Sequence, residues 1–177
     1  MLKPGHRLGS ALAKRTKPEL VEVIVELARD DRRIMRKLES RFNIEGTIKE
    51  LIAATRQAIA DATEFDERDV NQNFNYDYEA YSVVRRNLGR LVELGYCREA
   101  MELSLELMSD GSYQVEMSDE GMMTDDIEEC LQVVIKALKK SDLPAKDVLA
   151  WSRAMAKKDR VGMICATELR VLREPTP

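Results

Sequence analysis

Few residues in this chain are of the types that carry chemistry, and their spacing limits what that chemistry can be. The sequence has one histidine, His6, and three cysteines, Cys97, Cys130 and Cys165. A Ser-His-Asp or Cys-His arrangement needs its histidine held rigidly in a structured cleft. His6 instead lies in a basic, Gly-containing stretch with little periodicity. A di-iron helical site needs a Glu-x-x-His on each of two helices, which a single histidine cannot supply. The cysteines form no C-x-x-C pair, so a structural zinc lacks its ligand set. An odd, sparse set of cysteines at apolar positions reads as reduced core thiols. Neither G-x-x-x-x-G-K-[ST] nor a strand-linked G-x-G-x-x-G occurs, so the common nucleotide sites have no support. No catalytic residue, metal ligand or cofactor is assigned, and the chain is not expected to be an enzyme.

Two other constellations remain. Asp119, Glu120, Asp125, Asp126, Glu128 and Glu129 lie within eleven residues. Hard cations take several carboxylates, so a metal-dependent enzyme using 118–129 is one alternative. EF-hand spacing is missing, however, and three of these acids suit the positive start of a helix. A solvated acidic turn is the simpler reading. The aromatics are more suggestive. Phe74, Tyr76, Tyr78, Tyr81, Tyr96 and Tyr113 cluster in one part of the chain, and Met122 and Met123 follow soon after. Tyrosine joins an apolar body to a polar tip, and methionine adapts its shape, so both suit interfaces. These eight residues form the candidate protein-binding surface. The competing reading is that the loop aromatics anchor their own loop to the core.

The elements that position them are helices. Leu, Ala, Glu, Arg and Met are plentiful, only 5% of residues are aromatic, and β-branched runs are short. Hydrophobic residues at 44% and charged ones at 34% describe a folded protein. A net charge of −4 argues against wholesale binding of nucleic acid or anionic membrane. No run approaches the roughly 18 apolar residues of a membrane span. Reduced thiols and the absence of an apolar signal core behind the N-terminal charges make the cytoplasm the expected location.

Residues 1–15 read as a mobile basic arm, with Lys3, His6, Arg7, Lys14, Arg15 and Lys17 in or beside it. Thr16-x-x-Glu19 with Pro18 starts a helix, and Leu20, Val23, Ile24 and Leu27 give it a 3.6-residue period. A break at Asp30-Asp31 predicts a second helix carrying Ile34, Met35 and Leu38. Gly46 and Thr47-x-x-Glu50 then stop one helix and cap the next. The polar stretch 63–77 is the expected boundary between an N-terminal part, 16–63, and a C-terminal part, 78–174. The two parts are expected to close into one compact unit.

Beyond the boundary, Tyr81, Val84, Leu88 and Leu91 mark a helix ended by Gly95. Ala100, Leu103 and Leu107 mark its partner, predicted to end near Gly111. A loop over 109–124 precedes a helix capped by Thr124. Asp142-Leu143-Pro144 opens another, and a last short helix covers 165–173. The expectation is an all-α protein of about eight helices in antiparallel hairpins, as a TPR/HEAT-like bundle.

The turn Gly95-Tyr96-Cys97-Arg98-Glu99-Ala100 resembles that of a tetratricopeptide repeat, although no second copy follows at a fixed offset. The stretch T-K-P-E-L-V-E-V-I-V-E-L-A-R-D-D-R-R-I-M-R-K-L, with 78–108 and Ser118-Asp119-Glu120-Gly121, resembles the helical region of bacterial SWIM-type zinc-finger proteins and related uncharacterised helical proteins. The C-x-C and C-x-H ligands of that finger are absent here, so its zinc and DNA roles do not carry over. The resemblance implies an accessory helical module. The expected function is a non-catalytic scaffold that binds a protein partner or a second copy of itself. The alternative is a nucleic-acid-associated regulator using the basic arm.

Overall fold

The computed structural model is all-helical, with no strand among the described residues. The structure describes residues 4–42 and 47–172. Lys3, the side chains of His6 and Arg7, the expected stop at Gly46 and the final Arg173 lie outside the described residues. The chain divides into two compact units, Met1–Glu45 and Gly46–Pro177. The first holds α1 (Pro4–Leu12), α2 (Lys17–Asp30) and α3 (Arg32–Phe42). The second holds α4 (Ile48–Ala62), a π-helical turn (Arg68–Gln72), α5 (Tyr78–Glu93), α6 (Cys97–Met117), α7 (Thr124–Leu138), α8 (Ala145–Lys158) and α9 (Ala166–Val171).

Local sequence signals account for several helix ends. At the start of α2, the Thr16 N–H donates to Glu19 Oε2 at 2.7 Å, and the Glu19 N–H returns a 3.5 Å bond to Thr16 Oγ1. Thr47 and Glu50 repeat this capping box at α4, with bonds of 2.6 and 3.2 Å. Gly95 ends α5 at φ +85°. There the Tyr96 N–H bonds the Leu91 carbonyl at 2.8 Å and the Gly95 N–H bonds that of Val92 at 3.0 Å, the double bond pattern of a left-handed cap.

The core of the second unit lies between α5, α6 and α7, with α4 and α8 closing its sides. α5 packs on α4 and α7, and α6 packs on α4, α5, α7 and α8. Leu88, Leu91, Leu103, Leu107, Ile127, Leu131 and Ile135 are buried at the centre.

Four expectations change. Residues 4–12, read as part of an irregular arm, form α1. The division between units falls before α4, not in the polar stretch 63–77, and the chain forms two units where one was expected. Thr55, Ala58, Ile59 and Ala62 bury one face of α4 in the second unit's core, which ties α4 to the helices after it. Thr124 is the first residue of α7 and not its cap, and its hydroxyl donates back to the Gly121 carbonyl at 2.7 Å.

The fourth change concerns Gly111, expected to stop a helix. α6 runs straight through it to Met117. A Cβ at Gly111 would stand 2.9 Å from Cδ1 and 3.2 Å from Cγ1 of Ile127. The glycine is therefore there to let α6 and α7 approach, and not to turn the chain. Ile127 is fully buried and has no free direction in which to yield. At Gly89 of α5, by contrast, a Cβ would meet only Val133 Cγ1, at an ordinary 3.7 Å.

Gly89→Ala should accordingly stabilise the protein by about 0.5–1 kcal/mol through helix propensity alone. Gly111→Ala gains the same term but must overpack Ile127, which costs about 1–3 kcal/mol, so a net loss on the order of 1 kcal/mol is expected. Urea denaturation of the two variants checks this. Equal gains at both positions would show that the close approach does not matter.

Candidate functional site

The eight residues expected to share a binding surface are dispersed in their roles. Tyr81 and Met123 are buried, so neither belongs to a surface. Tyr81 lies on the inner face of α5, and Met123 precedes α7 beneath Ser118, whose hydroxyl reaches its sulfur at 3.7 Å. Tyr76 is half-buried, and its hydroxyl donates to Asp126 Oδ2 at 2.7 Å while its ring meets Tyr81 edge-on at 6.2 Å. Burial and that carboxylate both push the Tyr76 phenol well above its ordinary range. Tyr113 stands edge-on to Phe65 at 6.4 Å and carries the Arg160 guanidinium 5.0 Å above its ring. Tyr96 belongs to the Gly95 cap, and Met122 is half-buried. Phe74 and Tyr78 alone are widely open, each 61% exposed. Phe74 holds φ at +53°, a backbone state that disfavours its Cβ.

The polar loop that carries these aromatics is a structural tie. Val70, in its π-helical turn, is buried. Asn71 Nδ2 donates to the Met117 carbonyl at 3.2 Å, and its Oδ1 accepts the Asp119 N–H at 3.0 Å. One amide therefore holds both the end of α6 and the start of the acidic loop.

The acidic cluster is divided among separate tasks. Asp126 accepts from Tyr76, Glu129 pairs with Arg85, and Glu128 Oε1 accepts the Cys165 N–H at 2.8 Å. That last bond holds Cys165 in a left-handed conformation at φ +50°, where α9 begins. Among the described residues no group of three or more His, Cys, Asp or Glu side chains is placed to hold a metal ion.

The most enclosed polar group is Gln114 of α6, fully buried. Its Oε1 accepts from the Tyr81 hydroxyl at 2.6 Å, and its Nε2 donates to the carbonyls of Ala62 at 3.1 Å and Glu64 at 3.0 Å. Gln114 thus joins α5 and α6 to the end of α4. Cys130 lies beside this network, and its thiol donates to the Tyr81 carbonyl at 3.3 Å. Burial pushes the Cys130 thiol up to about 12. Burial, then the Glu128 carboxylate, pushes Cys165 up to about 12 as well. Both are inert core thiols at neutral pH. Cys97 is half-buried at the start of α6.

The feature that sequence reasoning missed lies in the first unit. On α2 only Ala28 is buried, while Val21, Val23, Ile24, Val25 and Leu27 are each between 42% and 51% exposed. A groove along α2 is lined by Pro18, Val21 and Val25 together with Glu22, Glu26 and Arg29. The signal was present in the sequence, where seven of the nine residues 20–28 are apolar. On a helix these cover an arc of about 200°, twice the stripe that a single neighbour needs. No helix among the described residues is long and apolar enough to cross a membrane. No protein family, curated protein or solved structure matches the chain.

Gln114→Leu should destabilise the protein by about 2–3 kcal/mol, because it strands the Tyr81 hydroxyl and the buried Ala62 carbonyl away from water and removes the bond to the Glu64 carbonyl. Tyr81→Phe, which leaves only Gln114 Oε1 unpaired, should cost about 1–2 kcal/mol. Denaturant melts read both, and a Gln114→Leu cost no larger than that of Tyr81→Phe would show that Gln114 does not cap α4.

Thiol labelling gives an independent check. A neutral disulfide reagent should modify Cys97 readily and leave Cys130 and Cys165 untouched until the protein is unfolded. Folding raises both buried thiols from 9.0 to about 12. Their stabilising contribution is therefore complete below pH 9 and lost as the pH climbs through that window.

Proposed function

We propose that the chain is a helical protein-interaction module that acts by holding a partner and not by catalysis. The observation that carries this reading is the open aliphatic face of α2. Five branched side chains on one 14-residue helix, each about half exposed, exceed the scattered apolar residues of an ordinary surface. Covering a Val or Leu side chain contributes roughly 1.5–3 kcal/mol when burial is complete, so the face offers substantial binding energy.

The rest of the molecule supports a scaffold. In the second unit, Tyr76, Tyr81, Gln114, Asp126, Glu128 and Glu129 are engaged in holding segments of the chain together. The α5–α6 pair, closed by Gly95 and packed through the fully buried Ala100, is consistent with a single tetratricopeptide-like hairpin. Phe74 and Tyr78 extend the reading to a secondary contact on that unit, since both present an apolar ring to solvent.

Glu19, Glu22 and Glu26 along α2 would repel a phosphate backbone or an anionic lipid surface, which favours a protein partner. The competing reading, nucleic acid held by the basic residues before α2, predicts binding that falls steeply with salt.

Affinity capture from a cell extract, with nuclease treatment in parallel, tests the reading against a Val21→Glu/Val25→Glu variant. A stoichiometric protein that survives nuclease and is lost from the variant, at unchanged melting temperature, is the expected result. Recovery of nucleic acid alone, or of the same proteins by both baits, would overturn it.

A further inference from the structure

We infer that the partner seated on α2 is a second copy of this chain, with α2 of each copy lying along α3 of the other. The inference rests on the interaction reading above and names its occupant.

The argument begins with what α2 demands of a neighbour. Its apolar arc of about 200° has Ile24 at its middle, with Ala28, Val21 and Val25 on one flank and Leu20, Leu27 and Val23 on the other. Ala28 is buried and Leu20 half-buried, while Ile24 at the centre and Val21, Val25, Val23 and Leu27 on the flanks stay exposed. The polar residues beside those flanks are mainly acidic. α2 carries four acids, Glu19, Glu22, Glu26 and Asp30, against two bases, Lys17 and Arg29. Its partner should therefore be an apolar helix with a basic border.

That description fits α3. Its eleven residues hold five bases and one acid, with Ile34, Met35 and Leu38 at helical spacing between them. Met35 is exposed, and Ile34 and Leu38 are half-buried. α2 and α3 are joined through the single residue Asp31, whose extended backbone breaks the helix. A two-fold axis lets both complementary pairs form at once, since α2 meets the second copy's α3 and α3 meets the second copy's α2.

Such a contact is self-complementary in charge, so it can be rewired. Sedimentation of the full chain over a concentration series should show a species of twice the 20.2 kDa chain mass. Val21→Glu/Val25→Glu, at exposed positions, should raise the dissociation constant on the order of 100-fold with the helical circular dichroism retained.

Two charge-swapped chains form the decisive arm. Glu22→Lys/Glu26→Lys places positive α2 against positive α3, and Arg32→Glu/Arg33→Glu/Lys37→Glu, which leaves α3 two bases and four acids, places negative against negative, so each alone should sediment as a single chain. Their equimolar mixture restores both attractions and should dimerise again, more weakly at high salt.

A wild-type dimer that ignores Val21→Glu/Val25→Glu, or swapped chains that stay apart when mixed, would overturn the inference. So would a monomeric wild type. A monomer whose α2 amides resist hydrogen exchange assigns the face to the rest of its own chain. A monomer with unprotected α2 that still captures a different protein in the extract leaves the interaction reading standing and removes only the second copy.

Discussion

A helix that ends inside a protein leaves carbonyl groups that have lost water without gaining an intrahelical donor, and the second unit is organised around that constraint. Its answer recurs at four helix ends, each time with a side chain reaching in from elsewhere. Gln114 bonds the carbonyl of Ala62 at the end of α4, and Asn71 bonds that of Met117 at the end of α6. The Ser112 hydroxyl bonds Lys158 at the end of α8, and that of Ser152 bonds Leu169 in α9. Each bond satisfies an orphan acceptor and also ties two segments of the chain in a fixed register. Gln114 matters most because it is fully enclosed and serves three partners, so no water can replace it.

The same arrangement gives several acids of the loop before α7 and of its first turns a structural partner. The acids of 119–129 would repel one another if gathered around an empty centre. Three of them, Asp126, Glu129 and Glu128, instead accept from Tyr76, Arg85 and the Cys165 amide, and each interaction fixes a different element. The surface ion pairs Arg56–Glu106, Arg98–Asp147 and Arg160–Glu116 link helices in the same way, though solvent screening keeps such pairs weak. Asp159 organises the α8–α9 connection by accepting the N–H groups of Val161, Gly162 and Ile164. A unit with its polar groups engaged in this way is rigid and internally satisfied.

The first unit contrasts with it. It is the smaller, it buries little of α2, and its apolar residues face outwards where those of α5 to α7 face inwards. The contrast is what makes α2 the basis of the interaction proposal. An amphipathic helix gains most of its stability from covering its apolar face, so an uncovered one is an incomplete structure.

The sequence by itself determined most of the helices and several of their ends. Capping boxes at Thr16 and Thr47 and the left-handed cap at Gly95 rest on residues within a few positions of each other, so local chemistry suffices. It also established that the chain would be all-α, because helix formers dominate at a 3.6-residue period. Only the tertiary structure decided what each buried residue was for. Gly111 looked like a stop because glycine ends helices, but its meaning depended on Ile127, on another helix. Tyr81 and Met123 looked like interface residues because their types suit interfaces, and their burial depended on how α5, α6 and α7 close. The division before α4 was hidden for the same reason, since Ala58, Ile59 and Ala62 pack across to partners that periodicity cannot name. Spacing along the chain specifies a helix and its apolar face, whereas the neighbour that covers that face is chosen by long-range packing.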